Sequence, residues 1–161
     1  MEIGITAALI AAAVSLFAAL VAHRLAVWRE QWSRRAMACA AFRATLLESF
    51  HGLYPEPVDW PARPAEIVAV LERKFAHLQA AVQSFRPYVP FHRRHGFDRA
   101  WRLYRVGHAG SAGERQNYWQ YVPHPEPLAA AAQRPAQGDL RKVQVVFRAH
   151  VARLLSFARV T

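Results

Sequence analysis

The sequence predicts an all-α protein, in which an N-terminal transmembrane helix continues into a small three- to four-helix cytoplasmic bundle. Residues 3–22 form an uninterrupted apolar run, and several later segments repeat apolar residues at helical spacing. No segment alternates apolar and polar residues clearly enough to indicate a strand. We therefore divide the chain into an anchor, residues 1–22, and one helical domain, residues 23–161, which is long enough for a modest core.

The apolar run has the length of a membrane span. Its twenty residues carry no charge, and at about 1.5 Å per residue such a helix covers roughly 30 Å, the thickness of the hydrocarbon core. A cleaved signal peptide is the alternative, but signal peptides begin with basic residues and have a core of roughly 7–15 residues. Because Glu2 is acidic and the run is longer, the sequence favours a retained anchor.

The flanking charges predict the orientation of this span. No basic side chain precedes it, whereas four arginines follow it before residue 36. The positive-inside rule then places the N-terminus outside and the helical domain in the cytoplasm. The excess of arginine over lysine, together with abundant alanine, indicates a bacterial protein, so the membrane would be the inner membrane.

The residues just after the span are the candidates for contact with lipid headgroups. Trp28 and Trp32 are spaced i, i+4 and share one helix face. Their rings either lie in the headgroup zone or face a neighbouring helix. The full set of candidates is Arg24, Trp28, Arg29, Trp32, Arg34 and Arg35.

The first helix is expected to continue beyond the membrane to about Gly52, because no proline or glycine interrupts residues 5–51. It would connect the membrane and cytoplasmic parts rigidly. The single cysteine, Cys39, lies on its apolar stripe and is expected to be buried, with no disulfide or zinc pattern. The stripe comprises Leu25, Trp28, Trp32, Cys39, Phe42, Leu46 and Phe50.

Four prolines in residues 54–64 predict a loop at about 52–64, which Trp60 is expected to pin to the bundle. A second helix over 65–85 follows, and its apolar residues repeat at heptad spacing, as in helices that pack nearly antiparallel. This seam consists of Val68, Leu71, Phe75, Leu78, Val82 and Phe85.

A third helix is predicted over residues 92–106, with Phe97, Trp101 and Tyr104 on its apolar face. Asp98 has Arg94 and Arg102 one turn away on either side, which predicts a surface ion pair within this helix.

A long connection at about 107–138 contains many glycines and prolines and a short aromatic patch. Tyr118, Trp119 and Tyr121 either pack onto the bundle, the interpretation that we favour, or contact a partner protein. They are our candidates for partner contact.

The fourth helix is predicted over residues 139–159, with Asp139 as its N-cap. It repeats the heptad spacing of helix two, which places His150 on the buried seam. The seam consists of Leu140, Val143, Phe147, His150, Leu154 and Phe157.

Histidines are the candidates for a metal or haem site. His92 and His95 are close, but two arginines between them would repel a cation. His77 and His150 could hydrogen-bond across the bundle or hold a haem, although core histidines with satisfied nitrogens are the commoner case. We therefore predict no metal and no cofactor.

The sequence contains no catalytic constellation. The serines stand in no GxSxG or SxxK context, and no glycine-rich phosphate loop is present. Asp59, Asp98 and Asp139 each have a structural explanation, as a loop residue, a surface ion pair and an N-cap. We therefore expect a protein that is not an enzyme.

The formal net charge is +10, and the basic residues cluster in residues 23–43, 86–105 and 134–159. The first cluster follows the span, where attraction to anionic lipid of about 1 kcal/mol per charge is expected. The other two could face lipid, RNA or an acidic partner, or could be solvated helix faces. Because no nucleic-acid-reading module is recognisable, we disfavour nucleic acid.

One pattern resembles a known group of proteins. A helix from Phe75 to Arg86 that ends in Phe-Arg is followed by Phe-Asp-x-Ala-Trp-x-x-Tyr from Phe97 to Tyr104. This resembles small bacterial single-pass membrane proteins of uncharacterised function, and the match covers about a third of the chain. The resemblance implies a helical cytoplasmic domain and no activity.

These features predict a membrane-anchored, non-enzymatic accessory or adaptor protein, such as a small subunit of a larger inner-membrane complex. Its partners would be membrane lipid and a protein, either that complex or a second copy. The alternative function is a basic module that binds anionic lipid or nucleic acid at the membrane surface.

Overall fold

The computed structural model describes residues 2–108, 116–123 and 137–159. Within these ranges, only the backbone is described for residues 2–13, 64–65, 119 and 137–139. The regular structure of these residues is entirely helical, which confirms the all-α prediction. Short 3-10 turns occur at Arg86–Tyr88, Trp119–Tyr121 and Ser156–Ala158. The longer helices are α1 (Glu2–Ser49), α2 (Pro64–Phe85), α3 (Phe91–Val106) and α4 (Gln137–Leu155).

The helix boundaries differ from the predicted ones by a few residues. Pro64 begins α2, because the fixed φ and missing N–H of proline suit the first helical turn. The start of α4 also differs, since this helix begins at Gln137. Asp139 is therefore inside the first turn of α4, and its prediction as the N-cap is wrong.

The chain divides into two compact units, Met1–Met37 and Ala38–Thr161. In the first unit α1 exposes large apolar side chains, including Leu16 (68%), Phe17 (70%) and Leu20 (55%). Where side chains are described, no helix combines the length and the apolar character that crossing a membrane requires. Residues 3–13 of the predicted span lie outside the residues with described side chains, so the span stays a prediction.

In the second unit the end of α1 and the whole of α2 run antiparallel. The Phe42 ring stacks on Phe85 at the end of α2, with 4.4 Å between the ring centroids. Two turns further along α1, the Lys74 Nζ of α2 donates a hydrogen bond to the Ser49 carbonyl. A proline-rich loop at residues 50–63 makes the reversal between the two helices.

The helices α3 and α4 continue this antiparallel arrangement. Phe97, near the start of α3, packs edge-to-face on Phe85 at 5.7 Å and on Phe157 at 5.4 Å. Tyr104, two turns later in α3, lies 6.3 Å from Phe147 in the middle of α4. The second unit is therefore an up-down-up-down four-helix bundle.

The predicted heptad seams form the core of this bundle. Leu71 and Leu78 of α2 and Phe147 and Leu154 of α4 are completely buried. Cys39 is buried as predicted. The stripe of α1 divides, however, because its members in the second unit are buried and those in the first are exposed. The buried members are Cys39, Phe42, Leu46 and Phe50, and the exposed members are Leu25, Trp28 and Trp32.

Aromatic rings from separate segments meet at Phe147. Its ring packs edge-to-face on Phe50 at 5.3 Å, on Trp60 at 5.4 Å and on Tyr121 at 5.2 Å. Each such pair contributes about 0.5–1.5 kcal/mol beyond the burial of its area. The contact with Trp60 pins the 50–63 loop to α4, as the sequence predicted.

We expect Phe147→Ala to lower the free energy of unfolding by about 3–5 kcal/mol, because it opens a cavity between four aromatic neighbours. Denaturant unfolding of the detergent-solubilised chain measures this change. Val145→Ala, at a position of the same helix that is 61% exposed, is the control and should change stability by no more than about 0.5 kcal/mol. Equal effects of the two substitutions would contradict the role that we assign to Phe147.

Candidate functional site

The residues predicted to contact lipid headgroups form a basic and aromatic band on α1 in the first unit. The rings of Trp28 and Trp32 are neighbours on one helix face, with centroids 5.6 Å apart, as their spacing predicted. Both rings are open to the surroundings, at 56% and 36% exposure. Arg34 pairs with Glu30 at 2.5 Å. Arg24, Arg29 and Arg34 are exposed, and Arg35 is half-buried.

The structure places the candidates for partner contact differently. Tyr118 and Tyr121 are buried, with 1% and 0% exposure, and belong to the core. For these two tyrosines the favoured interpretation, packing onto the bundle, is confirmed, and the alternative of partner contact is wrong because neither offers a surface to a partner. The side chain of Trp119 lies outside the described residues.

A polar network joins these tyrosines to α4. The Tyr121 hydroxyl donates a hydrogen bond to the Tyr104 carbonyl at 3.0 Å, and it lies 2.8 Å from Nδ1 of His150. Since the carbonyl can only accept, this geometry assigns the hydroxyl proton to it and a donating N–H to His150 Nδ1. Gln120 adds a hydrogen bond from Nε2 to the same carbonyl at 2.8 Å. His150 is therefore occupied within the bundle.

The hypothesised pairing of His150 with His77 is wrong. His77 is exposed on the outer face of α2, while His150 faces Tyr121 and is half-buried. Among the residues that the structure describes, no group of three histidine, cysteine or acidic side chains could hold a metal ion.

The titratable groups of this network are uncharged at neutral pH. Burial raises the pKa of Tyr104 well above its usual value, with Tyr118 and Tyr121 adding to the effect. Burial also raises the pKa of Tyr118 to about 12 and raises that of Tyr121. Burial lowers the pKa of His150, as do His108 and Arg153 to a smaller extent. A general base poised near pH 7 is a common requirement for acid–base catalysis, and the three tyrosines do not supply one.

Arginine side chains organise the opposite end of the bundle, at the turn between α2 and α3. Arg86 donates two hydrogen bonds of 2.8 Å to the Asp98 carboxylate. This bidentate pair replaces the predicted pairing of Asp98 with Arg94 and Arg102 inside α3. It forms because the turn at Pro87 returns Arg86 to the start of α3, and a bidentate geometry is stronger than a helical i, i+4 contact.

The neighbouring arginines bind backbone carbonyls instead of carboxylates. Arg94 donates to the carbonyls of Pro87, at 3.0 Å, and Val89, at 3.1 Å. Arg93 donates to the Ser156 carbonyl just after α4, at 3.5 Å, and lies 5.1 Å from the Phe157 ring centroid. These contacts hold residues 86–95 and residues 153–159 together, and we call this surface the basic end.

Sequence reasoning missed the basic end as a site. The signal available was the concentration of arginine and histidine around Pro87 and Pro90, which the sequence showed only as a basic cluster. Its connection to the end of α4 depends on tertiary packing.

Comparison of the chain with protein-family models, with curated proteins and with solved structures finds no significant match. The resemblance to small bacterial single-pass membrane proteins stays a prediction.

We expect Tyr121→Phe to reduce the free energy of unfolding by about 1–3 kcal/mol, because it removes the hydroxyl from the half-buried His150 and from the Tyr104 carbonyl. Denaturant unfolding measures the loss. Tyr88→Phe removes a hydroxyl from a tyrosine that is 41% exposed, and as the control it should change stability by no more than about 0.5 kcal/mol. A Tyr121→Phe variant as stable as this control would show that the network contributes nothing.

Proposed function

We propose that the protein is a non-enzymatic accessory or adaptor protein, anchored in the inner membrane of a bacterium by residues 1–22. The bundle would lie in the cytoplasm and dock beside a larger membrane complex. The observation that carries this proposal is the exposure of Leu16, Phe17 and Leu20 on α1. Burying such a side chain in the hydrocarbon of a bilayer, instead of leaving it in water, would stabilise the protein by about 1.5–3 kcal/mol of transfer free energy for each residue.

The band that follows these residues supports the proposed orientation. Exposed Trp28 and Trp32 suit the headgroup layer, where a ring can have one apolar and one wet side. The exposed arginines Arg24 and Arg29 suit the cytoplasmic side of the membrane.

The state of the buried polar groups supports a role other than catalysis. The hydroxyl of Tyr121 and Nδ1 of His150 are engaged with each other and with the backbone. A group that served as a general base would need access to substrate and a pKa near the working pH. We therefore propose that the bundle acts through its surface.

We expect the full chain to remain with the membrane pellet after alkaline carbonate extraction and a chain that lacks residues 1–22 to be released. Ala12→Arg combined with Val14→Arg should also release the chain, since both positions lie near the centre of the 3–22 run and an arginine at the centre of a span costs about 2.5–3.5 kcal/mol of insertion free energy. The matched control is Val145→Arg with Val146→Arg, which adds the same charges to exposed positions of α4 and should stay in the pellet. Release of the unmodified chain would contradict the anchor.

The adaptor role predicts that the full chain, purified in mild detergent, migrates as a complex with a defined partner or with a second copy. Size-exclusion chromatography with light scattering measures the mass of that complex. A photo-crosslinker at Trp32 should trap the same partner, while one at Val58, an exposed position in the 50–63 loop, serves as the comparison. A monomer without any co-purifying protein would remove the support for an adaptor.

A further inference from the structure

We propose that the basic end of the bundle is a second membrane contact, which docks on the anionic lipid headgroups of the same bilayer and places Phe91 and Tyr88 among them. This inference rests on the proposed function, because the anchor would hold the bundle near that bilayer. It goes further by naming the surface that makes the contact and the lipid chemistry that it recognises.

The position of the basic end within its unit is the first argument. The second unit begins at Ala38 of α1, and one turn later Phe42 stacks on Phe85, the last residue of α2. The turn that begins at Arg86 follows immediately, so it lies at the end of the bundle where α1 enters. Ala38 follows Trp32 by six positions, and even a fully extended chain of that length reaches at most about 21 Å. The length of the connecting chain thus allows this end to reach the proposed headgroup layer.

The exposed aromatic rings are the second argument. Phe91, the first residue of α3, is 85% exposed, and Tyr88 in the preceding turn is 41% exposed. The guanidinium carbon of Arg94 lies 5.9 Å from the centroid of the Phe91 ring. Apolar rings beside arginines are typical of surfaces that lie in the interface of a bilayer, where the rings enter the acyl boundary and the cations meet the headgroups. In water, an exposed phenylalanine ring has no apolar layer to enter.

The charge of this surface is the third argument. Asp98 is the carboxylate described at this end, and Arg86 already pairs with it at 2.8 Å. Arg93 and Arg94 donate to backbone carbonyls, which carry no net charge, so both keep their full positive charge while their orientation is fixed. The end of α4 adds the exposed Arg153 and Arg159. Such a cluster of cations attracts anionic headgroups and loses that attraction as salt rises.

The opposite end of the bundle differs in charge. Residues 48–66, where α1 ends and α2 begins, carry several carboxylates, and Glu66 lies 3.9 Å from Arg63. Four carboxylates and one arginine stand in this segment, so an anionic surface would gain little by contact with it. These carboxylates are Glu48, Glu56, Asp59 and Glu66.

Depth measurement on the full chain tests the proposal. A fluorophore is attached to a cysteine introduced at His92, an exposed residue of the basic end, after the buried Cys39 is replaced by alanine. The protein is reconstituted in lipid nanodiscs of phosphatidylcholine, with or without phosphatidylglycerol, and quenching by brominated lipid is measured. The same label at Leu16 reports the anchor, and at Val58 it reports the 50–63 loop.

We expect the label at His92 to be quenched several-fold more in discs with phosphatidylglycerol than in neutral discs, and high salt should abolish the difference. Phe91→Ser with Arg159→Gln should reduce this quenching. The matched variant Val58→Ser with Arg141→Gln, measured with the same label at His92, removes an exposed apolar side chain and an exposed arginine elsewhere and should leave it unchanged.

The two proposals fail in different ways in this experiment. Quenching at Leu16 in every disc, without quenching at His92, would overturn the second contact and leave the anchor standing. No quenching at Leu16 would overturn the anchor itself. A label at His92 that responds to added single-stranded RNA in neutral discs, and not to phosphatidylglycerol, would overturn the lipid assignment in favour of nucleic acid.

Discussion

The arrangement of the bundle depends on the contact of four aromatic rings with Phe147. Phe50 follows directly after α1 and Tyr104 belongs to α3. Trp60 comes from the 50–63 loop and Tyr121 from the 3-10 turn before α4. The ring of Phe147 is completely buried between them. The loop contains no strand or helix and the turn is only three residues long. The contacts of Trp60 and Tyr121 with Phe147 therefore hold both segments against α4. The packing of one α4 residue therefore determines which surfaces of the connections face outward.

The same packing confines the tyrosines to a structural role. A buried hydroxyl is costly unless it finds a partner, and Tyr121 finds one in the Tyr104 carbonyl. The hydroxyls of Tyr104 and Tyr118 are buried as well, and the two rings lie 5.7 Å apart. Burial raises the pKa of both groups, so they stay neutral. The interior of the bundle is thus aromatic and uncharged, and its ionised groups lie outside or at the margins.

The basic end shows how charge is kept at a surface while its geometry is fixed. Arg94 and Arg93 bind backbone carbonyls, in the α2–α3 turn and just after α4 respectively. A carboxylate in their place would have neutralised them, as Asp98 does for Arg86. This arrangement joins the α2–α3 turn to the end of α4.

The sequence by itself determined the helices, the heptad seams, the loop at about 52–64 and the pinning role of Trp60, because apolar periodicity and proline act over a few neighbouring residues. Only the tertiary structure decided which residues meet across the bundle. It gave Asp98 the partner Arg86, twelve positions away, instead of the nearer arginines, and it placed Tyr118 and Tyr121 beside Tyr104. It also left His77 exposed while His150 bound Tyr121. These outcomes depend on the angles at which turns bring distant side chains together, and no local pattern in the sequence encodes those angles.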